Sequence, residues 1–125
     1  VHCRDDAERQ IVTYRFATLA DFVRFYGEPQ RMTSRAVVIL IDDEPAAMIG
    51  LAYGIDCATM FSDAKPEIEP HKRKFPVLRA IKMAMKLADT CGRPVYAIQH
   101  EGTNILSRVG FEHLDGEVYT WRNSP

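Results

Sequence analysis

Four consecutive residues, His71-Lys72-Arg73-Lys74, make the densest run of charge in the chain, and the apolar period that begins at Val77 places them just before a helix. Cations at a helix start oppose the macrodipole, so an anion seated there would relieve the conflict. Two readings follow from the residue types. Either Lys72, Arg73 and Lys74 hold phosphates, of a coenzyme or of nucleic acid, or the run is a solvated charged turn. Cys3, Cys57 and Cys91 are odd in number and have no C-x-x-C spacing. Nothing in their spacing, taken with His71 and His100, suits a zinc site, so they read as reduced thiols and no metal is expected. The sequence contains no G-x-S-x-G motif, P-loop or dinucleotide fingerprint. Tyr14, Phe16, Phe22, Phe25 and Tyr26 interleave with Arg15, Arg24 and Arg31, which has the look of a nucleic-acid surface. Their strand and helix spacing sends most of these rings to the core, which argues against nucleic acid as a partner.

The elements that must position these groups are legible from period and punctuation. Ile11 to Ala17 alternates as a strand, and Thr18 stands at a helix cap with Asp21 at the third helical position. Leu19, Phe22, Val23 and Tyr26 then repeat at helical spacing until Gly27 and Pro29. The segment from Gln30 to Arg35 fits either a further helical turn or a loop. Ala36 to Ile41 is a buried-strand run, Asp42-Asp-Glu-Pro45 has turn chemistry, and Ala46 to Tyr53 is apolar again, which predicts a β-hairpin. Cys57 to Phe61 continues the meander, and Ser62 to Pro66 is expected to end it. Val77, Ile81, Ala84, Ala88 and Cys91 share one helix face while Arg79, Lys82 and Lys86 occupy the other. Gly92 and Pro94 close that helix, Val95 to Ile98 begins a strand, and Thr103 to Val109 reads as a short helix ended by Gly110. Phe111 to Trp121 holds one strand or a hairpin turning at Asp115-Gly116.

A chain of 125 residues with 46% hydrophobic and 26% charged side chains suits one core, expected over residues 11–121 between a flexible segment 1–10 and a tail 122–125. Sixteen basic residues against 17 acidic ones leave no overall field that names a partner. The longest apolar run, Ala36 to Ile41, is too short for a bilayer and no signal pattern opens the sequence, so no membrane partner is expected and the setting is read as cytoplasmic.

The order strand, helix, three-strand meander, long helix, strand, short helix, strand implies an α+β arrangement. The Asp42-Asp-Glu-Pro-Ala-Ala-Met-Ile-Gly50 hairpin resembles the second and third strands of the GCN5-related N-acetyltransferase (GNAT) superfamily, where a D-G-x-x-V-G turn is common. Ile105-Leu-Ser-Arg-Val-Gly-Phe-Glu112 is similar to that family's L-Y-x-K-x-G-F-E segment. Met60-Phe-Ser-Asp63 and Pro66-Glu-Ile-Glu-Pro-His71 resemble small members encoded by tailed phages, which would place the protein in the host cytoplasm or the virion. The resemblance implies a mixed, mostly antiparallel sheet with helices on both faces. It further implies transfer from acetyl-CoA or another acyl-CoA to an amine, with the thioester held where the fourth and fifth strands splay apart.

On that resemblance, Met60, Phe61, Ser62, Val77 and Gln99 are expected to flank the acyl-CoA, with Lys72, Arg73 and Lys74 at its phosphates. His100, Asp63 or Glu67 is expected near the acyl site as a base for the amine proton, against the alternatives of a hydrogen-bonded strand-end histidine and exposed turn carboxylates. The family's phosphate loop, [QR]-x-x-G-x-[GA], falls on Arg73-Lys-Phe-Pro-Val-Leu78, so Pro76 and Leu78 stand at its glycine positions. Leu106 stands where many members carry a tyrosine acid, and Gln99 replaces a usual Asn. These departures imply either a slow acyltransferase or a non-catalytic module of the same fold that binds a protein partner or serves assembly.

Overall fold

The computed structural model describes residues 9–30, 32–98 and 109–123. In chain order these form β1 (Val12–Phe16), α1 (Leu19–Tyr26), β2 (Ser34–Ile41), β3 (Glu44–Tyr53), β4 (Ala58–Ala64), a 3-10 turn (Pro66–His71), α2 (Phe75–Asp89), β5 (Val95–Ile98), β6 (Phe111–Asp115) and β7 (Val118–Trp121). The strands make a single sheet in the order β1-β2-β3-β4-β5-β7-β6. Neighbours are antiparallel except β4 and β5, which are parallel. The α2 crossover makes that exception possible, because a parallel pair needs a long connection.

Side-chain alternation divides the sheet into two apolar faces. Val37, Ile39 and Ile41 of β2 point into the larger cluster with Val77, Ala80, Ala84 and Leu87 of α2. Ala36, Val38 and Leu40 point the other way, onto Met48 and Phe22 of α1. The two helices therefore cover opposite faces. The β2–β3 hairpin closes through Asp42 and Asp43, both at positive φ (49° and 66°), with Ile41 paired to Glu44. That is the two-residue turn whose twist matches the strands, built here from two aspartates rather than the commoner Asn-Gly. Gly50 of β3 has no room for a side chain: a Cβ there would lie 2.3 Å from the Arg35 carbonyl oxygen and 2.5 Å from the Ala36 Cβ.

Several boundaries differ from those read in the sequence. β4 does not stop at Phe61 but runs to Ala64, because Ser62, Asp63 and Ala64 stay paired with β3. The charged, proline-containing segment after it is a 3-10 turn, with Pro66 at the first position where its missing N–H costs nothing. α2 starts at Phe75 rather than Val77, with Lys74 as N-cap. Phe111 to Trp121 is a hairpin, and it brings Trp121 to donate its Nε1–H to Asp89 at 2.7 Å. Of the five aromatics assigned mostly to the core, Phe22 alone is buried; Phe16 is 47% exposed and Tyr26 40%. The core around α1 is thin, which leaves Tyr26 at its rim. No helix among the described residues is long and apolar enough to cross a membrane.

Candidate active site

β4 is paired with β3 along its whole length, but with β5 only from Ala58 opposite Val95 to Met60 opposite Ala97. Among the described residues the pairing ends there, although β4 runs on to Ala64 and β5 to Ile98. The Ala58 N–H donates to the Pro94 oxygen, and the Lys65 N–H, just past the strand, donates to the Ala46 oxygen. Even-numbered residues of β4 therefore turn their backbone groups toward β5 and odd-numbered ones toward β3. Ser62 is the first even-numbered residue past the last β4–β5 pair, so its N–H and C=O face the side where that pairing has ended.

Side chains alternate across the sheet. Met60 enters the α2-side core together with Val77, while Phe61 packs against the α1-side cluster. Asp63 shares the face of Phe61, and its Oδ2 accepts the Tyr26 O–H at 2.7 Å. Burial and then the Asp63 carboxylate hold the Tyr26 phenol well above the ordinary tyrosine value, so it stays protonated as the donor. Between α1 and β4 lies a cavity of about 310 Å³ lined by Phe22, Tyr26, Phe61 and Asp63, with Glu28 and Gln30 from the loop after α1. The Gln30 Oε1 is buried and has no hydrogen-bond partner among the described residues. Among the described residues no Lys or Arg lines the cavity. Aromatic faces, carboxylates and a spare amide oxygen suit an ammonium or amine group.

The local sequence explains why α1 delivers Tyr26 there. Thr18 and Asp21 form a reciprocal capping box, in which the Thr18 N–H donates to Asp21 Oδ2 at 2.8 Å and the Asp21 N–H donates to Thr18 Oγ1 at 3.3 Å. The Arg15 guanidinium grips the same carboxylate from β1, with Nη2 at 2.9 Å from Oδ1. Chiefly that guanidinium, against the opposing effect of burial, lowers the Asp21 pKa to about 2. At the other end Gly27, at φ 82°, stops the helix directly after Tyr26 and turns Glu28 to Gln30 across the cavity.

The expected site residues scatter more widely than one mouth. Ser62 and Asp63 lie within β4 on opposite faces, not in a loop after it, and only Asp63 lines the cavity. Glu67 is exposed on the 3-10 turn. Met60 is 8% exposed and Val77 5%, so either can offer a ligand little beyond backbone, whereas Phe61 reaches the cavity. Lys72, Arg73 and Lys74 do precede α2, but Lys72 is paired with Glu69 at 2.5 Å. His71 drops out of the charge cluster: it is fully buried, its Nε2–H donates to Gln10 Oε1 at 2.8 Å, and burial followed by Lys74 lowers its pKa. Gln99, His100 and Leu106 lie outside the described residues. Among the described residues no group of three or more His, Cys, Asp or Glu gathers as metal ligands would. Tyr26 is the residue that sequence reasoning missed. Its helical spacing with Phe22 and Val23 marks it as core, and nothing local signals a carboxylate 37 positions away.

No family model and no curated protein matches the sequence. Solved structures do match the fold. The ribosomal-protein-S18-alanine N-acetyltransferase from Escherichia coli superposes with a TM-score of 0.60 at 12% identity, over 84% of this chain and 80% of that one. The PaiA N-acetyltransferase from Thermoplasma acidophilum, solved in complex with coenzyme A, superposes with a TM-score of 0.51 at 18% identity, over 82% of this chain and 65% of that one. Both share with this chain a mixed, mostly antiparallel sheet covered by helices, the GNAT fold.

Proposed function

We propose that this chain, which has the GNAT fold, transfers an acyl group from acetyl-CoA or another acyl-CoA to the nitrogen of an amine. The observation that carries the reading is the Tyr26–Asp63 pair in an aromatic cavity beside the end of β4–β5 pairing, with no Lys or Arg among its described lining residues. The amine enters from the α1 face against Phe22, Phe61 and Asp63. Its nitrogen attacks the thioester carbon, the carbon–sulfur bond breaks, and the proton shed by nitrogen passes to the Asp63 carboxylate. The departing thiolate takes a proton from water, since Leu106 stands where the family's tyrosine acid is expected. Tyr26 holds Asp63 in place and, with its raised pKa, is a poor proton source at neutral pH. On the donor side Lys72, Arg73 and Lys74 supply side chains for phosphates where family members use glycine backbone, and the Ser62 N–H, on the β5 side of β4 past the last described pair, donates to the thioester carbonyl oxygen. Gln99 and His100 remain candidates, for the acyl group and as a second base.

A second reading, a non-catalytic module of the same fold that binds a protein partner or forms part of a phage particle, is favoured by Pro76 and Leu78. Pro76 has no N–H for a phosphate, and Leu78 is 44% exposed. Calorimetric titration with acetyl-CoA, followed by an acetyl-transfer assay on simple amines with the native chain and Asp63→Asn, separates the two. Binding together with turnover that collapses in the variant supports the enzyme. Absence of both binding and turnover transfers the assignment to the module.

A further inference from the structure

We propose that the groove between β1, β2 and α2, on the sheet face opposite the Tyr26–Asp63 cavity, is a second ligand site that binds a nucleoside polyphosphate. The groove has a volume of about 500 Å³, within the range of small-molecule sites. Arg35 of β2 and Arg79, Lys82 and Lys86 of α2 line it, and among the described residues no acidic side chain does. A chain with a formal net charge of −1 has thus collected a local positive field that no carboxylate among the described lining residues answers. The side chains of Arg79, Lys82 and Lys86 make no ion pair or hydrogen bond among the described residues. Steps of three and four residues set them on one stripe, about 4.5 and 6 Å apart along the axis, close enough for one polyphosphate chain to meet two or three of them. Like charges at those spacings repel within a helix, and a bound polyanion removes that repulsion.

The facing wall supplies the other half of the ligand's chemistry. Tyr14 and Phe16 project from β1 into the groove, and Phe16 is 47% exposed. The Arg35 guanidinium sits 5.6 Å from the Phe16 ring centroid, so ring and guanidinium form a layered platform of the kind on which a planar base stacks. An acidic peptide would use the cations and leave the aromatic wall idle. A groove walled by a helix on one side and β1 on the other favours one compact molecule over a strand that tracks across the surface. The three α2 cations also border a neighbouring groove beside Val109, but Arg35 and Phe16 belong to this one alone. They are therefore the residues that report on it.

The inference does not depend on acyl transfer, and its test reads binding alone. The full chain is titrated calorimetrically with ATP, and separately with inorganic triphosphate, as the native protein, as Arg35→Ala, as Lys82→Ala/Lys86→Ala, and as Lys72→Ala/Arg73→Ala. Melting curves with and without ATP check that each variant is folded. The expected result is saturable ATP binding, weakened at least about tenfold in Arg35→Ala and in Lys82→Ala/Lys86→Ala, unchanged in Lys72→Ala/Arg73→Ala, and several-fold tighter than triphosphate. Absence of ATP binding to the native chain overturns the proposal. So does binding lost only in Lys72→Ala/Arg73→Ala, which would place ATP at the turn before α2. Equal affinity for ATP and triphosphate removes the nucleoside from the assignment, and tighter binding of a single-stranded oligonucleotide or of polyglutamate through the same residues gives the groove to a polymer.

Discussion

The two faces of the central sheet carry opposite chemistry. Among the described residues, Asp63 and Glu28 line a small aromatic cavity without a cation on the α1 face, and Arg35, Arg79, Lys82 and Lys86 line a larger groove without an acid on the α2 face. A strand's period of two produces this sorting, because Arg35 follows Val37, Ile39 and Ile41 onto one face of β2 while Asp63 follows Phe61 onto the other face of β4. A composition near electrical balance therefore conceals two separate fields, and the apolar sheet keeps the proposed amine site and the proposed anion site apart.

The strongest way to break the contrast is to neutralise one face. Asp63→Asn is expected to lower kcat/KM for acetyl transfer by roughly 10²- to 10⁴-fold, the usual worth of a positioned base, while leaving acetyl-CoA affinity within about twofold in calorimetry. An unchanged rate would remove Asp63 from the chemistry and leave His100 as the base. Gly50→Ala tests the sheet that both faces share. A Cβ 2.3 Å from the Arg35 oxygen forces β2 away from β3, so a loss of about 1–3 kcal/mol or more is expected in denaturant unfolding. Full stability in this variant would mean that the strands are more loosely paired than the register implies.

Asp21→Ala sharpens the account of the α1 face, since it removes the capping box and the Arg15 contact together. A loss on the order of 1–2 kcal/mol is expected, kept modest because the Arg15 side chain is 46% exposed to solvent. The Asp21 pKa is lowered from 3.8 to about 2, so its contribution is complete above the unfolded-state value and fades as pH falls from about 4 toward 2. Melting curves of native and variant protein should accordingly converge in that acid window and stay apart at neutral pH. The smallest effect belongs to Tyr26→Phe, which deletes the hydrogen bond to Asp63 but keeps the ring. Acetyl transfer should fall only by a factor of a few, and any basic limb of the pH–rate profile should persist, because the phenol titrates above it. A basic limb that vanishes in the variant would make Tyr26 an acid in the reaction.

Chain order, caps and helix faces were legible because they depend on neighbours in sequence. Thr18 and Asp21 are three residues apart, Gly27 follows the last helical residue of α1, and the cations of α2 recur at three and four residues, so local period was enough to place them. The resemblance of the Asp42–Gly50 hairpin to one family anticipated the sheet, and the parallel β4–β5 pair follows from the crossover helix between them. What happens at the far end of β4 was not legible. Ser62 and Asp63 carry turn chemistry in isolation, yet pairing with Ile49 and Met48 holds them extended, and that gain depends on residues a dozen or more positions away. The same holds for His71, which reads as one more cation and is buried neutral against Gln10, and for Tyr26, which reads as core and instead meets Asp63. The sequence by itself determined which segments form helices and strands and which residues share a face, since those are matters of local period. Only the tertiary structure decided which faces oppose each other and where paired strands part, because partners far apart along the chain set the energy of each group, whether it ends as a charge, a donor or part of the core.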